Sequence, residues 1–361
     1  MPVIREVIVL DCPPCLVSAL PPSPLSFPRI TRVSSHATKP MKLPTLTEIE
    51  AAAEIVYRTL QPTPQINWPL LSKRCGAEVW VKHENHLPTG AFKIRGGLYA
   101  MSRIAALSPK PSGVISATRG NHGQSVALAA AQYDLPVVIV VPHGNNPEKN
   151  EAMRALGAEL IEHGQDFQDS LEHAGALAEE RSLLFVRSYY RDLVVGVASY
   201  GLELFRACPD LDDVIVAVGT GSGLSGVIAA RNALGATANI YGVVAEQAPA
   251  YALSFQQKQS VATKSADTLA DGLACRTPDE SALAILLGGA EDIFTVSETE
   301  ILQAMKVLMV DTHNLAEGAG AASLAALLKE KDRFAGRKVA IVLSGGNADQ
   351  AVLSRAMALD F

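Results

Sequence analysis

Short runs of β-branched and aliphatic residues alternate with longer alanine-rich stretches along this chain, and that alternation restricts it to one fold class. The runs are Val79-Trp80-Val81, Val114-Ile115-Ser116, Val137 to Val141, Leu183 to Val186, Val214 to Val218, Tyr241 to Ala245 and Val339 to Leu343. Each is apolar at nearly every position, which suits strands buried on both faces, and the helical stretches between them suit right-handed crossovers. The expected class is therefore α/β with mostly parallel sheet. No internal repeat or low-complexity linker divides residues 45 to 350, so two domains would have to be interleaved.

Bulk properties narrow the class of function. A chain of 361 residues suits two modest domains or one large α/β unit. Apolar residues make up 48%, yet no apolar run approaches the ~18 residues of a membrane span. With 31 basic against 37 acidic residues the net charge is -6, which lacks the footprint of a nucleic-acid or anionic-membrane binder and leaves small-molecule chemistry. Five scattered cysteines, Cys12, Cys15, Cys75, Cys208 and Cys275, are too sparse for a disulfide scaffold and point to a reducing, cytoplasmic setting. Cys12 and Cys15 have C-x-x-C spacing but no second pair nearby, so they read as chemically idle.

Residues 1 to 40 are rich in proline and serine and read as a tail, disordered or preceding a true start at Met41. Glu6 and Asp11 disfavour an organellar targeting peptide. Order is predicted to begin at Thr45-Leu46-Thr47-Glu48, a capping box, followed by a helix with Leu46, Ile49, Ala53, Val56 and Leu60 on one face and ended by Pro62 and Pro64.

Four segments carry chemistry. In Pro88-Thr89-Gly90-Ala91-Phe92-Lys93-Ile94-Arg95-Gly96-Gly97 a turn opens onto a helix with Lys93 near its positive end, which favours a neutral, nucleophilic amine. From this segment alone a solvated lysine beside Arg95 reads equally well. Thr118-Arg119-Gly120-Asn121-His122-Gly123 follows a strand, where backbone N–H groups at a strand-to-helix junction bind anions such as a substrate carboxylate. An ordinary glycine turn, with His122 structural, is the plainer reading. Gly219-Thr220-Gly221-Ser222-Gly223-Leu224-Ser225-Gly226 lies between a strand and an alanine-rich helix and forms a phosphate cup. It matches the dinucleotide pattern only in part, and it lacks the Lys-Ser/Thr pair of a nucleotide P-loop. Ser344-Gly345-Gly346-Asn347 ends a strand, so three of the four segments project where ligands of open α/β sheets sit.

In this order, Phe92-Lys93, Gly120-Asn121-His122, Gly219 to Gly223 and Ser344-Gly345-Gly346-Asn347 resemble the fold type II pyridoxal-phosphate enzymes, above all the serine/threonine dehydratase (threonine ammonia-lyase) and serine racemase group. Thr63-Pro64, Glu84-Asn85 and Glu317-Gly318-Ala319-Gly320-Ala321 extend the resemblance over residues 45 to 350. It implies two open, mostly parallel sheets flanked by helices. The large cofactor domain would comprise 41–112 plus 191–361, and a small mobile domain for the substrate carboxylate would comprise 113–190. It implies pyridoxal 5'-phosphate held as a Schiff base on Lys93, with Phe92 by the ring and Asn121 on the phenolic oxygen. Gly219, Thr220, Gly221, Ser222 and Gly223 would hold the phosphate, and Ser344 would face the pyridine nitrogen. Thr118, Arg119, Asn121 and His122 would receive the substrate.

The implied reaction removes the β-hydroxyl of a small hydroxy-amino acid, threonine or serine, giving a 2-oxo acid and ammonia. Lys93 would handle the α-proton, and a homodimer is implied. Arg119 departs from the group, where the racemases place an opposite-face acid/base; a guanidinium cannot serve as one at neutral pH. Arg119 is expected to pair with a carboxylate, either the protein's or one on a substrate such as 3-hydroxyaspartate. Relatives with a divalent cation use a Glu and an Asp, and here Glu246 matches while Ala252 stands at the Asp position, so no such metal site is expected. The chain ends at Phe361, and a regulatory domain like that of biosynthetic threonine dehydratases is not expected. Dehydration of phenylserine, a β-replacement and racemisation remain as alternatives on the same cofactor. A cofactor-free binding protein would leave Lys93 and Ser344 unexplained, and a nucleotide-dependent oxidoreductase lacks an acidic ribose partner.

Overall fold

A computed structural model describes residues 41–360; the Cys12 and Cys15 reading and that of the proline-rich stretch lie outside the described residues. The chain begins with the capping box read from its sequence. Thr45 Oγ1 accepts from the Glu48 amide at 3.3 Å, and the Thr45 amide donates to Glu48 Oε2 at 2.9 Å. The helix Leu46–Val56 buries Ile49, Ala52, Ala53 and Val56. It stops at Val56, earlier than the prolines alone require, and Leu60 is buried from the turn that follows.

Among the described residues, ten strands form two sheets. Numbered along the chain they are β1 (Gln65–Asn67), β2 (Glu78–His83), β3 (Val114–Ala117), β4 (Val137–Val141) and β5 (Glu159–Glu162), then β6 (Leu184–Phe185), β7 (Asp213–Ala217), β8 (Asn239–Ala245), β9 (Asp292–Val296) and β10 (Lys338–Leu343). One sheet has the order β1-β2-β10-β7-β8-β9 and the other β5-β4-β3-β6. All pairings are parallel except β1 with β2. The fold is thus the α/β architecture expected, with two mostly parallel sheets. Every apolar run of the sequence became a strand. Three strands were not among those runs, and all three are sheet edges: β1 and β5 are too short or too polar to stand out, while β9 carries Ile293-Phe294-Thr295-Val296, a run the sequence reading missed. An edge strand is wetted on one side and needs no continuous apolar run. β5, Glu-Leu-Ile-Glu, exposes both its glutamates.

The two sheets are joined through the helix Lys93–Ala105, which packs on the helices Asn121–Ala131 and Arg191–Ala207. Glycines permit the approach. A Cβ on Gly196 would lie 2.5 Å from the Arg95 carbonyl oxygen, and one on Gly97 would lie 2.3 Å from Ser125 Oγ. Beneath this contact lies a buried ionic cluster. Arg95, with no solvent exposure, donates to Glu84 at 2.6 and 3.0 Å and to Glu203 at 2.6 and 2.9 Å. Lys82 reaches Glu203 at 2.5 Å and the Thr63 carbonyl at 3.0 Å, while Tyr57 donates to Glu203 at 2.8 Å. Two cations meet two carboxylates, so the cluster is neutral. Burial opposes ionisation of Glu203, but Arg95 and Lys82 still hold it below the ordinary carboxylate range. Arg95 is therefore no solvated neighbour of Lys93; it anchors the start of the Lys93 helix.

Truncating Arg95 would leave two buried carboxylates with one cation, an imbalance worth roughly 3–5 kcal/mol. Arg95→Ala is expected to lower stability by about that amount, read as a reduced urea midpoint. A midpoint equal to the parent's would show that the cluster contributes nothing to the fold.

Candidate active site

Every segment singled out in the sequence reaches one cavity, three of them from the carboxyl ends of strands in the two sheets. β3 delivers Thr118 to His122, β7 delivers Gly219 to Gly223, and β10 delivers Ser344. The cavity measures about 890 Å³, and Phe92 and Lys93 are on its wall. The Lys93 segment is pinned to the end of β10 by backbone bonds. Phe92 N–H donates to the Ser344 carbonyl at 3.0 Å, and Gly346 N–H donates to the Gly90 carbonyl at 2.8 Å.

Lys93 is the first residue of its helix, as the sequence placed it. Its amine meets no carboxylate: it donates to Ser222 Oγ at 2.9 Å and Thr220 Oγ1 at 3.3 Å, and it stands 5.0 Å from the centroid of the Phe92 ring. Burial pushes its pKa down to about 8. At pH 7 about a tenth of such an amine is neutral, against well under ~0.1% of an ordinary lysine. Desolvation is the cause of that lowering.

The glycine loop has the form of an anion cradle. Gly221 adopts φ +94, a left-handed conformation open to glycine, and caps the helix Ser222–Leu234. The first amides of that helix have no acceptor inside it. Gly219 lies so close to the Gly272 carbonyl that no side chain fits there. Thr220 donates to the Ser188 carbonyl at 3.3 Å, and Tyr251 donates to the Thr220 carbonyl at 2.9 Å, so the loop is held from two sides. Phe92 packs edge-on to Tyr200 at 6.0 Å, and Gly223 lets the loop backbone approach its ring.

The loop after β3 is equally ordered. Thr118 Oγ1 accepts from Gly120 N–H at 3.1 Å. Asn121 donates to Glu317 Oε1 at 2.6 Å and accepts from Asn347 Nδ2 at 2.8 Å. His122 is buried, and burial together with Lys93 pushes it down to about 3, so its imidazole is neutral near pH 7. Although the Val186 backbone is near, neither ring nitrogen makes a hydrogen bond of good geometry. Arg119 is partly exposed and lies 3.6 Å from Asp271. Its expected carboxylate partner is thus present within the protein. Ser344 is buried at the cavity wall. Glu246 follows β8 and Ala252 is buried in the helix Ala250–Gln257; among the described residues no group of three His, Cys, Asp or Glu could hold a metal ion.

Four charged residues beside the cavity escaped the sequence reading. Lys149, from the helix Pro147–Ala155, reaches Asp271 at 2.8 Å and Asp349 at 3.2 Å, and Glu317 lies buried beside them. Lys149 and Asp271 belong to no motif and come together only through the fold. Glu317 did carry a signal, the Glu-Gly-Ala-Gly-Ala stretch, which alone says nothing of its burial.

A helix-flanked parallel fold with a lysine amine facing a glycine cradle defines a class: an enzyme binding a phosphorylated carbonyl compound. The model of the pyridoxal-phosphate dependent enzyme family matches residues 56–345, and the chain belongs to that family. It is 35% identical to the L-threonine ammonia-lyase of Thermotoga maritima over 314 residues, 86% of this chain and 77% of the relative. Identity is 32% with an L-threo-3-hydroxyaspartate ammonia-lyase of a Pseudomonas species over 310 residues, 86% and 97% of the two chains. The structure of the processed form of threonine deaminase isoform 2 from Solanum lycopersicum superposes with a TM-score of 0.80 at 26% identity, covering 89% of this chain and 98% of that one. The cofactor is pyridoxal 5'-phosphate. The site suits it: an unpaired amine of lowered pKa, a cradle with no room for side chains at Gly219, and buried walls.

In cofactor-free protein, acylation of Lys93 by a small amine-reactive reagent is expected to rise with pH through a midpoint near 8, since only the neutral amine reacts. Mass spectrometry of the modified peptide reads this, and bound pyridoxal phosphate is expected to block it. A midpoint near 10 would contradict the burial seen here.

Proposed function

We propose that this protein is a dehydratase/ammonia-lyase of β-hydroxy-α-amino acids, with threonine or serine as substrate and a 2-oxo acid and ammonia as products. The observation that carries the reading is the Lys93 amine, half-buried between the hydroxyls of Thr220 and Ser222 with no carboxylate bound to it among the described residues. The named activities of the relatives support it.

Lys93 would hold the cofactor covalently, with Phe92 against its ring and Asn121 on its phenolic oxygen. The backbone of Gly219, Thr220, Gly221, Ser222 and Gly223 would take its phosphate, and Ser344 would face its pyridine nitrogen. When bound, the cofactor supplies an electron sink that acidifies the substrate α-proton. Lys93 moves that proton. Its low pKa lets the amine accept a proton near neutral pH, where proton transfer by a positioned base contributes ~10²–10⁴-fold. Thr118 and the amides at the start of the helix Asn121–Ala131 bind the substrate carboxylate, beside Asn121 and His122. A neutral His122 adds no charge there and serves in packing and orientation. Ser344 would be a neutral partner for the ring nitrogen, and a hydroxyl there would leave that nitrogen largely unprotonated, which suits elimination. Arg119, always charged, supplies no opposite-face acid/base, and racemisation is disfavoured.

A second reading, 3-hydroxyaspartate as substrate, is favoured by one observation: Arg119 and Arg187 both line the cavity, and Arg119 meets Asp271 only at 3.6 Å. Residues 113–190, with β3 to β6, form the small mobile domain in this reading, and 41–112 with 191–361 the large one; Lys149 would bridge them to Asp271. We assign a homodimer, supported by the exposed Leu70, Val310 and Leu315 on and beside packed helices. A cytoplasmic setting is supported by the free cysteines Cys75, Cys208 and Cys275, and no helix of the described residues is long and apolar enough to cross a membrane.

The test is a 2-oxo acid assay over threonine, serine, 3-hydroxyaspartate and phenylserine. Lys93→Ala is expected to lose at least ~10³-fold of turnover. Full activity in that variant would defeat the mechanism. Arg119→Ala is expected to leave threonine turnover within about threefold of the parent, because its partner is a protein carboxylate at the rim. A selective loss on 3-hydroxyaspartate would move the substrate to the second reading.

A further inference from the structure

Glu317 is a carboxyl group buried in the wall of the cavity that no step above employs. It caps the helix Gly318–Lys329, is 7% exposed, and accepts from Asn121 Nδ2 at 2.6 Å. Its backbone N–H donates to the Gly345 carbonyl at 3.1 Å, and a Cβ on Gly345 would stand 2.4 Å from Glu317 Oε1. Glycine at 345 therefore makes room for this carboxyl.

The amide of Asn121 has two ends, and its neighbours decide which faces where. The Thr89 carbonyl can only accept, so the Asn347 amide turns its nitrogen toward it, at 2.8 Å. That same nitrogen donates to Asn121 Oδ1 at 2.8 Å. The oxygen of Asn121 is thereby committed to Asn347, and its nitrogen must face Glu317. An ionised carboxylate can only accept, which completes the chain without an ambiguous partner. One N–H of Asn121 goes to Glu317, and its second has no protein partner among the described residues.

We propose that Glu317 is a positioning residue whose carboxylate fixes the amide of Asn121 so that its second N–H is kept for the cofactor. This rests on the reading above in which Asn121 donates to the phenolic oxygen of pyridoxal phosphate. A protonated Glu317 loses the charge-assisted bond and holds the amide less firmly, although the Asn347 bond still sets which end faces it.

The groups facing Glu317 show when that happens. Burial raises its pKa, Lys149 and the Asn121 amide lower it, and Asp271 and Asp349 raise it again, with a balance of about 7. The carboxylate therefore prevails above about pH 7 and the acid below it. Lys149 is the counter-charge that keeps the group titrating near neutrality, and Asp271 and Asp349 divide its charge. The alignment of Asn121 is thus expected to be complete at mildly alkaline pH and to decline in acid.

The experiment is a double-mutant cycle on cofactor binding. Full-length parent, Glu317→Ala, Asn121→Ala and the double variant are freed of cofactor, and the pyridoxal phosphate dissociation constant is measured by fluorescence at about pH 8, with the visible band of the bound cofactor as a second readout. Each single variant is expected to bind on the order of tenfold more weakly, and the double variant no more weakly than either. Losses that multiply in the double variant would overturn the proposal. Glu317→Gln, which accepts through its oxygen without a charge, is expected to bind at about pH 8 only as well as the parent does in acid, and to lose the component of the pH dependence with a midpoint near 7. If its pH profile of binding matches the parent's, Glu317 does not act through its charge. If the parent itself forms no visible band with pyridoxal phosphate, the functional reading fails, and that outcome is distinct from a parent that binds and a cycle that shows no coupling.

Discussion

The buried pairing of Arg95 with Glu84 and Glu203 is the contact on which the site depends. Arg95 lies two residues beyond Lys93, on the helix that joins the two sheets, and its partners come from the end of β2 and from the helix Arg191–Ala207. Lys82, Thr63 and Tyr57 complete the cluster. Ions in a dry interior are held only by near-ideal geometry, so such a cluster admits little displacement of its members. Fixing Arg95 fixes the first turn of the helix, and that turn carries Lys93.

A second constraint acts from the opposite side. The end of β10 binds the backbone of residues 90 to 92, so the Lys93 turn is held between an ionic anchor below and a strand terminus beside it. The amine then projects between the hydroxyls of the glycine loop with no carboxylate near it. A lysine burial that would ordinarily cost stability here gives a group poised to lose its proton near neutral pH. Glu317 has the same character with opposite sign, a carboxyl pushed up by burial and drawn back by Lys149. Both groups derive their behaviour from desolvation, with specific partners setting how far each departs from its ordinary value.

Much of this was legible from residues alone. Val137 to Val141 and Val339 to Leu343 sit in central strands, and full burial on both faces leaves an unmistakable apolar run. β1 and β5 left none, because a wetted edge accepts Gln65 or Glu159 without penalty. The glycine loop was legible for a local reason: close backbone approach demands glycine whatever the rest of the chain does. Arg119 is an intermediate case. Its fixed charge excluded one role from sequence, but its partner Asp271 lies far along the chain and had no motif to announce it.

The sequence by itself determined the fold class and singled out, in order, the loops and the lysine that meet at the cavity, since periodicity, glycine requirements and motif order are local properties. Only the tertiary structure decided the protonation of the site. The pKa of Lys93, the neutrality of His122, the buried carboxyl of Glu317 and the pairing of Lys149 with Asp271 and Asp349 all depend on how much water is removed and which charge arrives from elsewhere. Desolvation and charge pairing are properties of the assembled interior, and no stretch of the chain contains them.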